Sequence, residues 1–326
     1  MSRSSSTISK VKFVATASTV AALCAVLVGC IVGGEDVLIS RASASPVEQT
    51  MMPGRGITVY AAGDIADCGK LKPEASGAAK TAGIIEEGSA SDKNAVVLAL
   101  GDIAYPTGLL ADFTDCYDPT WGRFKNRTYP APGNHEYYTP AAVGYYTYFG
   151  SIAGPARRGY YSIDLGKWHI VSLNSNLTST AQLQLQLDWL KTDLAEHPVH
   201  CTLAYWHHPL YSSGGHGNND RMADLWQVLQ DGGVDIVLSG HDHDYERFAP
   251  QDAHSKRDDA HGIRQFVVGT GGAHLTPFLF QRPNSEVRDN STAGVLRLTL
   301  KEAGYEWEFI PVTGGSFTDR GAALCH

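Results

Sequence analysis

Side chains able to hold cations recur along this chain, each at the end of an apolar run. Asp64 closes TVYAAGD, and Asp102 and Tyr105 close VVLALGDIAY. Asn134 stands in APGNHE, a histidine pair (His207 and His208) in LAYWHHP, and His241 and His243 in VLSGHDHDYER. Carboxylate and phenolate oxygens suit a hard trivalent ion, whereas imidazoles suit zinc, iron or copper. A carboxylate can offer an oxygen to two cations, which makes Asp102 a natural bridge. Two neighbouring cations can hold a phosphoryl group and an attacking oxygen together. Each residue taken alone has a plainer reading: Asp64 or Asp102 as a helix cap, Tyr105 as core, Asn134 as a turn former, His207 as a satisfied strand-end histidine. His241-Asp242-His243 is harder to dismiss, because alternating residues after a buried strand project on one face. Five such segments in one chain point to a dinuclear metal site.

The elements that must position these residues alternate between strand and helix. Ile57–Ala62 is short and β-branched. Ala95–Leu100 is almost purely apolar, as in a strand buried on both faces. Glu74–Glu87 reads as a helix. Leu183, Leu187, Leu190 and Leu194 recur at helical spacing behind Thr180 as a cap, and that helix stops at Pro198. Cys201–Trp206 reads as a strand, Met222–Gln230 as a helix and Val234–Leu238 as a strand. In the tail, Gln265–Val268, Gly294–Leu300 and Tyr305–Pro311 read as strands without helices between them. In each metal segment an apolar strand ends and a polar side chain emerges at the strand's carboxyl end, where open α/β sheets place their ligands, and in four of the five a glycine allows the turn. The expected fold is α/β, with two packed sheets flanked by helices.

Four further segments carry weaker signals. Residues 137–161 hold seven tyrosines among Gly and Pro, read as a compact loop packed on its own rings rather than as a wall for an aromatic substrate. The polar stretch Pro250–Gly262 makes His254 and His261 solvated loop residues. Glu246 and Arg247 read as an ion pair. Gly269-Thr270-Gly271-Gly272 lacks the Lys-Ser/Thr of a phosphate loop and reads as a tight turn.

Composition is that of a globular protein: 326 residues, 43% hydrophobic and 18% charged. The net charge of −8 argues against a nucleic-acid backbone as partner, because such binders need basic patches. It does not argue against phosphate substrates, since bound cations supply local positive charge. Residues 1–45 read as an export segment, with Arg3, Lys10 and Lys12 ahead of an apolar stretch from Phe13 to Val32. Ala42-Ser43-Ala44 offers a peptidase site, Leu27-Val28-Gly29-Cys30 resembles a lipobox, and a retained membrane anchor is the third reading. All three place the domain at residues 57–326 outside the cytoplasm, behind a linker at 46–56, with membrane attachment through the amino-terminal segment alone. The domain holds Cys68, Cys116, Cys201 and Cys325, and an even count in an exported chain favours disulfides. Of three pairings, Cys68–Cys116 is favoured because each follows a metal-motif loop and both loops must converge. Cys201–Cys325 then ties the carboxyl terminus to a core strand.

Taken together, these segments resemble those of the calcineurin-like metallophosphoesterases, and more narrowly the purple acid phosphatases. The wider superfamily opens with Asp-x-His. This chain has Asp64-Ile65-Ala66, and in Gly101-Asp102-Ile103-Ala104-Tyr105 it carries the tyrosine of the purple acid phosphatase pattern instead. Ala66 departs from the usual Asp-x-Gly. The extra amino-terminal β-domain of the larger plant members is absent, so the resemblance is to the short, single-domain members. It implies a four-layer α/β/β/α sandwich. It further implies that Asp64, Asp102, Tyr105 and His243 hold Fe(III), and that Asp102, Asn134, His207 and His241 hold a divalent ion (Fe, Zn or Mn). His207 is selected over His208 as the histidine two before the proline. His135 in Gly133-Asn134-His135-Glu136 matches a substrate-contacting histidine, and His216 lies where the family places a loop histidine near the leaving group. The implied activity is hydrolysis of small phosphate monoesters by in-line attack of a hydroxide held by the metals. A phosphodiesterase on nucleotide or lipid-headgroup substrates uses the same core, and a metal-loaded binding module is the non-enzymatic alternative.

Overall fold

Aliphatic runs with no polar face must be covered on both sides. Val96–Leu100, Cys201–Tyr205 and Ile236–Ser239 are buried at every position, and they form the middle of the molecule. The computed structural model describes residues 56–326. The export segment and linker residues 46–55 therefore lie outside the described residues.

One sheet has six strands in the order β13-β12-β11-β1-β2-β3. They are β1 (Ile57–Ala62), β2 (Val96–Leu100), β3 (Thr128–Ala131), β11 (Gly294–Lys301), β12 (Gly304–Pro311) and β13 (Arg320–Leu324). The other has seven strands in the order β10-β8-β9-β7-β6-β5-β4. They are β4 (Tyr161–Leu165), β5 (Trp168–Ser172), β6 (Cys201–Tyr205), β7 (Ile236–Ser239), β8 (Tyr245–Phe248), β9 (Arg264–Val268) and β10 (Ser285–Asp289). Both sheets are mixed. In the first, β1, β2 and β3 run parallel, while β11 pairs antiparallel with β1, Ile57 opposite Leu300. In the second, β5, β6, β7 and β9 run parallel.

The two-residue period of a strand divides the second sheet between two cores. Leu203, Ile236, Leu238, Phe266 and Val268 face the first sheet. Ala204, Val237 and Val267 face outward onto Leu187 and Leu190 of α4 (Thr180–Glu196) and Leu225, Trp226 and Leu229 of α5 (Ala223–Asp231). Truncating one of these leucines to Ala should cost about 2–5 kcal/mol. On the first sheet's far side, α1 (Gly77–Gly88) packs against β11 and β12 and buries Ala78, Ala82 and Ile85. The architecture is the expected α/β/β/α.

The helix expected at Glu74–Glu87 is split. A short 3₁₀ turn covers Pro73–Ala75, and α1 starts at Gly77 with the Ser76 hydroxyl accepting from Ala79 N–H. Thr180 is the first residue of α4, and Ser179 is its N-cap. Glu246 and Arg247 do not pair, because neighbours on a strand point to opposite faces. Glu246 instead accepts from Ser213 N–H and Ser285, and Arg247 bridges Asp319 and Glu286. The tyrosine-rich segment is not a loop throughout. It contains α3 (Val143–Phe149), after the single turn α2 (Leu110–Asp112). Tyr145 and Tyr161 both donate to Pro130 O from the core, so this packing lies beneath β3. His254 and His261 are exposed, as read. In the Gly269–Gly272 stretch the chain bends from Gly271, whose N–H bonds Gly63 O. Both disulfides form as paired, with Cα–Cα separations of 5.9 Å for Cys68–Cys116 and 5.5 Å for Cys201–Cys325.

Candidate metal centre

Five strands end at one place: β1, β2, β3, β6 and β7 each deliver their segment from the carboxyl end. The loops after β1 and β2 continue the parallel ladder beyond the strands, with Asp64 N–H bonded to Gly101 O and Ile65 N–H to Asp102 O, both at 3.0 Å. Asp64, Asp102 and His241 adopt φ of 58°, 46° and 75°. That left-handed conformation costs a residue with a Cβ on the order of 1–3 kcal/mol and clusters at functional sites. Gly133 is required by close approach, since a Cβ there would sit 2.1 Å from Asp102 N and Oδ1.

The side chains converge in two groups. In the first, the Tyr105 hydroxyl lies 3.0 Å from Asp64 Oδ1, 3.4 Å from Asp102 Oδ2 and 3.2 Å from His243 Nε2. In the second, His207 Nε2 lies 3.2 Å from Asp102 Oδ2, 3.1 Å from Asn134 Oδ1 and 3.2 Å from His241 Nδ1. Ligand atoms held ~2.1 Å from one ion lie about 3.0–3.4 Å apart in octahedral or tetrahedral arrangement. The donor spacing therefore fits two cations, and Asp102 Oδ2 belongs to both groups. The other Asp102 oxygen accepts from His135 N–H at 2.8 Å.

Two of the three imidazoles are oriented from behind. His207 Nδ1 donates to Leu100 O and His243 Nδ1 to His274 O, which leaves Nε2 of both facing the centre. His241 and His243 do not share a face as alternation suggests. β7 ends at Ser239, and the left-handed His241 sends the two rings into different groups.

Protonation follows from this crowding. Burial alone would lower His207, but Asp102 outweighs it and raises the imidazole to about 9. Asp64 overcomes burial at His243 in the same way, again to about 9. Burial, reinforced by His207, His208 and His216, pushes His241 far below its ordinary range. Burial and neighbouring carboxylates raise the Tyr105 phenol strongly. Such a set of inward-facing donors suits a cation in place of its protons.

His135 Nδ1 donates to Pro106 O, and its Nε2 lies 3.8 Å from Asp102 Oδ2. The His216 ring lies 4.1 Å from that of His241 and is half exposed, with backbone N–H and Nδ1 both bonded to Asp242 Oδ1. That bond to Asp242 raises His216 above its ordinary pKa. His208 lies closer than expected. One nitrogen of each of His207, His208 and His241 falls within 4.8 Å of the others, although His208 Nδ1 is held by Ser175 at 2.8 Å.

Two residues escaped sequence reasoning. Glu136 is buried and accepts from Ile103, Ala104 and Gly133 N–H, tying the Asp102 loop to the Asn134 loop. Burial first, then Asp102, raises it to about 7. Asp242 reads in sequence only as the spacer between two histidines. In the structure it is fully buried beside the loop that carries His216. There it orders His216 and accepts from Ser212.

Comparison with known proteins agrees with this geometry. The calcineurin-like phosphoesterase family pattern matches residues 57–245. Purple acid phosphatase 15 of Arabidopsis thaliana is 29% identical over 214 residues, covering 54% of this chain and 40% of that protein. Human acid phosphatase type 7 is 28% identical over 248 residues, covering 64% and 53%. The chain thus spans about half the length of these relatives or less. The purple acid phosphatase PPD1 from yellow lupin seeds shares the fold, with a TM-score of 0.62 at 20% identity over 82% of this chain and 53% of its own. Because the family pattern runs through more than half of the chain and ends within the segment that carries the two histidines, this protein belongs to the calcineurin-like phosphoesterases and is similar within them to the purple acid phosphatases.

Proposed function

We propose that the protein is an extracytoplasmic phosphatase that hydrolyses small phosphate monoesters at a dinuclear metal centre. The observation that carries this reading is the pair of donor groups sharing Asp102 Oδ2. Asp64, Asp102, Tyr105 and His243 would hold Fe(III), since two carboxylates and a phenol favour a hard trivalent ion. Asp102, Asn134, His207 and His241 would hold a divalent Fe, Zn or Mn. Bound there, the ions supply charge neutralisation for the phosphoryl oxygens and acidify a water molecule.

The remaining chemistry belongs to the chain. His135, with Nδ1 engaged by Pro106 O, has Nε2 free to bond a phosphoryl oxygen. His216, with Nδ1 held by Asp242, has Nε2 free to protonate the departing alcohol as the P–O bond breaks. The disulfides support an oxidising compartment. Among the described residues no helix is long and apolar enough to cross a membrane.

The test is metal analysis of the purified domain together with turnover of p-nitrophenyl phosphate. Two metal equivalents and steady release of phosphate are expected. Metal-replete protein without turnover would reduce the protein to a binding module. Much faster cleavage of bis(p-nitrophenyl) phosphate than of the monoester would make it a diesterase.

A further inference from the structure

Six of the ten large apolar side chains exposed among the described residues gather on the loops around the metal centre. They form two lips. The first consists of Leu109, Leu110, Tyr138 and Val143. The Tyr138 ring lies 4.7 Å from that of His135, and its hydroxyl accepts from Asn134 Nδ2 at 3.3 Å. The turn before Leu109 presses on the same loop, since a Cβ on Gly108 would sit 2.5 Å from Glu136 Cα. Gly144, next to Val143, is packed as closely: a Cβ there would sit 2.1 Å from Gly108 O.

The second lip is the run Pro277-Phe278-Leu279-Phe280, in which Leu279 is 65% and Phe280 44% exposed. Its backbone is fixed. Thr276 N–H bonds His243 O at 3.0 Å, and the N–H groups of Leu279 and Phe280 both bond Ser213 O. A Cβ on Gly217 would sit 3.0 Å from the Phe280 ring, so this lip adjoins the His216 loop as the first adjoins His135. A consecutive apolar run left open to water is unfavourable unless it meets a partner.

The surroundings favour a lipid surface as that partner. The chain carries a net charge of −8, yet from Ala273 to Asn284 it has no Asp or Glu. The Arg282 guanidinium lies 4.5 Å from the centre of the Phe280 ring, and that of Arg288 5.5 Å from the centre of the Phe278 ring. Apolar side chains with basic neighbours seat peripheral proteins at the headgroup level, the apolar part in the acyl boundary and the cation among the phosphates. Two of the three readings of the amino-terminal segment, lipidation at Cys30 and a retained anchor, also hold the chain at a membrane. The stretch from Cys30 to Gly56 can extend to roughly 90 Å at most, so such an anchor would leave both lips within reach of the same bilayer.

We propose that the two lips form a docking surface for an anionic lipid bilayer, set around the mouth of the metal centre. Leu109, Leu110, Leu279 and Phe280 enter the boundary between headgroups and acyl chains, and Arg282 and Arg288 meet lipid phosphates. This contact is additional to the amino-terminal segment and does not depend on the phosphatase reading.

The experiment places one extra tryptophan in the full-length chain at Leu110, at Phe280 or, as a control, at Val199. Val199 is 41% exposed and precedes β6, at the strand end opposite the metal centre. Each variant is mixed with vesicles of phosphatidylcholine and phosphatidylglycerol whose acyl chains carry bromine, a contact quencher. After subtraction of the wild-type signal, Leu110→Trp and Phe280→Trp should be quenched several-fold more than Val199→Trp. Leu279→Trp reads the second lip if circular dichroism shows that Phe280→Trp does not fold. Adding Arg288→Gln to Phe280→Trp should raise the lipid concentration for half-quenching about fivefold, the effect of one basic residue at an anionic surface. Absence of quenching at both lips, quenching at one lip alone, or equal quenching at Val199 overturns the proposal. A fluorescence change that follows protein concentration rather than lipid would make this face an interface between copies of the chain, and would equally overturn it.

Discussion

Asp102 is the residue on which both donor groups depend, since a single oxygen belongs to each. Asp102→Asn should therefore weaken both ions together, seen as loss of both metal equivalents after gel filtration, with activity falling by orders of magnitude. Loss of only one ion would remove the bridge from the proposal. Tyr105 tests the identity of the trivalent ion. A phenolate on Fe(III) absorbs visible light, so the iron-loaded protein should be coloured, and Tyr105→Phe should bleach it without unfolding it. A colourless, fully active wild type with two zinc equivalents would count against iron. Protonation gives a third check. His207 and His243 are held protonated up to about 9 in the metal-free chain. Metal must displace those protons, so apparent affinity should rise as pH climbs toward 9, with protons released in weakly buffered solution. An affinity flat between pH 6 and 9 would mean that these imidazoles do not bind the ions.

Elements are joined by polar contacts as well as by packing. His169 of β5 is fully buried and bonds Asp164 of β4 at 2.8 Å and Asp193 of α4 at 2.9 Å. Burial opposes its charge, but the two carboxylates outweigh burial and raise its pKa. A raised histidine contributes stability that is full below the unfolded value near 6.5 and is lost as pH rises through the folded value. Wild type should therefore lose part of its Tm as pH rises above about 6.5, and His169→Gln should be flatter over the same window. Parallel Tm profiles for the two proteins would place the pH dependence elsewhere. The connection between β4 and β5 shows what a closer reading of the chain could have found. Gly166-Lys167 is a two-residue turn with Gly166 at φ 63°, a hairpin signal between an alternating run (Tyr161, Ile163, Leu165) and the apolar-rich β5. β3 was harder to see, because Pro130 argues against a strand. It is tolerated there because β3 is an edge strand.

Across the whole molecule, the two disulfides close loops with sequence separations of 48 and 124 residues. In the chain-entropy account each contributes about 4–5 kcal/mol. Urea unfolding with and without reductant, which opens both, should show a loss of about 9 kcal/mol in that account. Peptide mapping without reductant should recover Cys68 linked to Cys116 and Cys201 linked to Cys325. Four free thiols in protein from an oxidising compartment would refute the pairing and weaken the argument for export.

The sequence by itself determined the strands that carry chemistry, because a fully buried strand must be a continuous apolar run and its end must be a break in that run. Val96–Leu100 before Asp102 and Ile236–Ser239 before His241 are legible for that reason. It also determined the donor types: carboxylate, phenol, amide and imidazole. The residues alone did not say how the donors divide; the family resemblance implied the division, and the tertiary structure shows the geometry behind it. The left-handed turn at His241 separates it from His243, and Asp102 Oδ2 reaches both groups because Gly133 lets the Asn134 loop close on it. Glu136 and Asp242 were illegible for one shared reason. Each takes its role from partners on other elements, distant in sequence, and local pattern does not record which loops will meet.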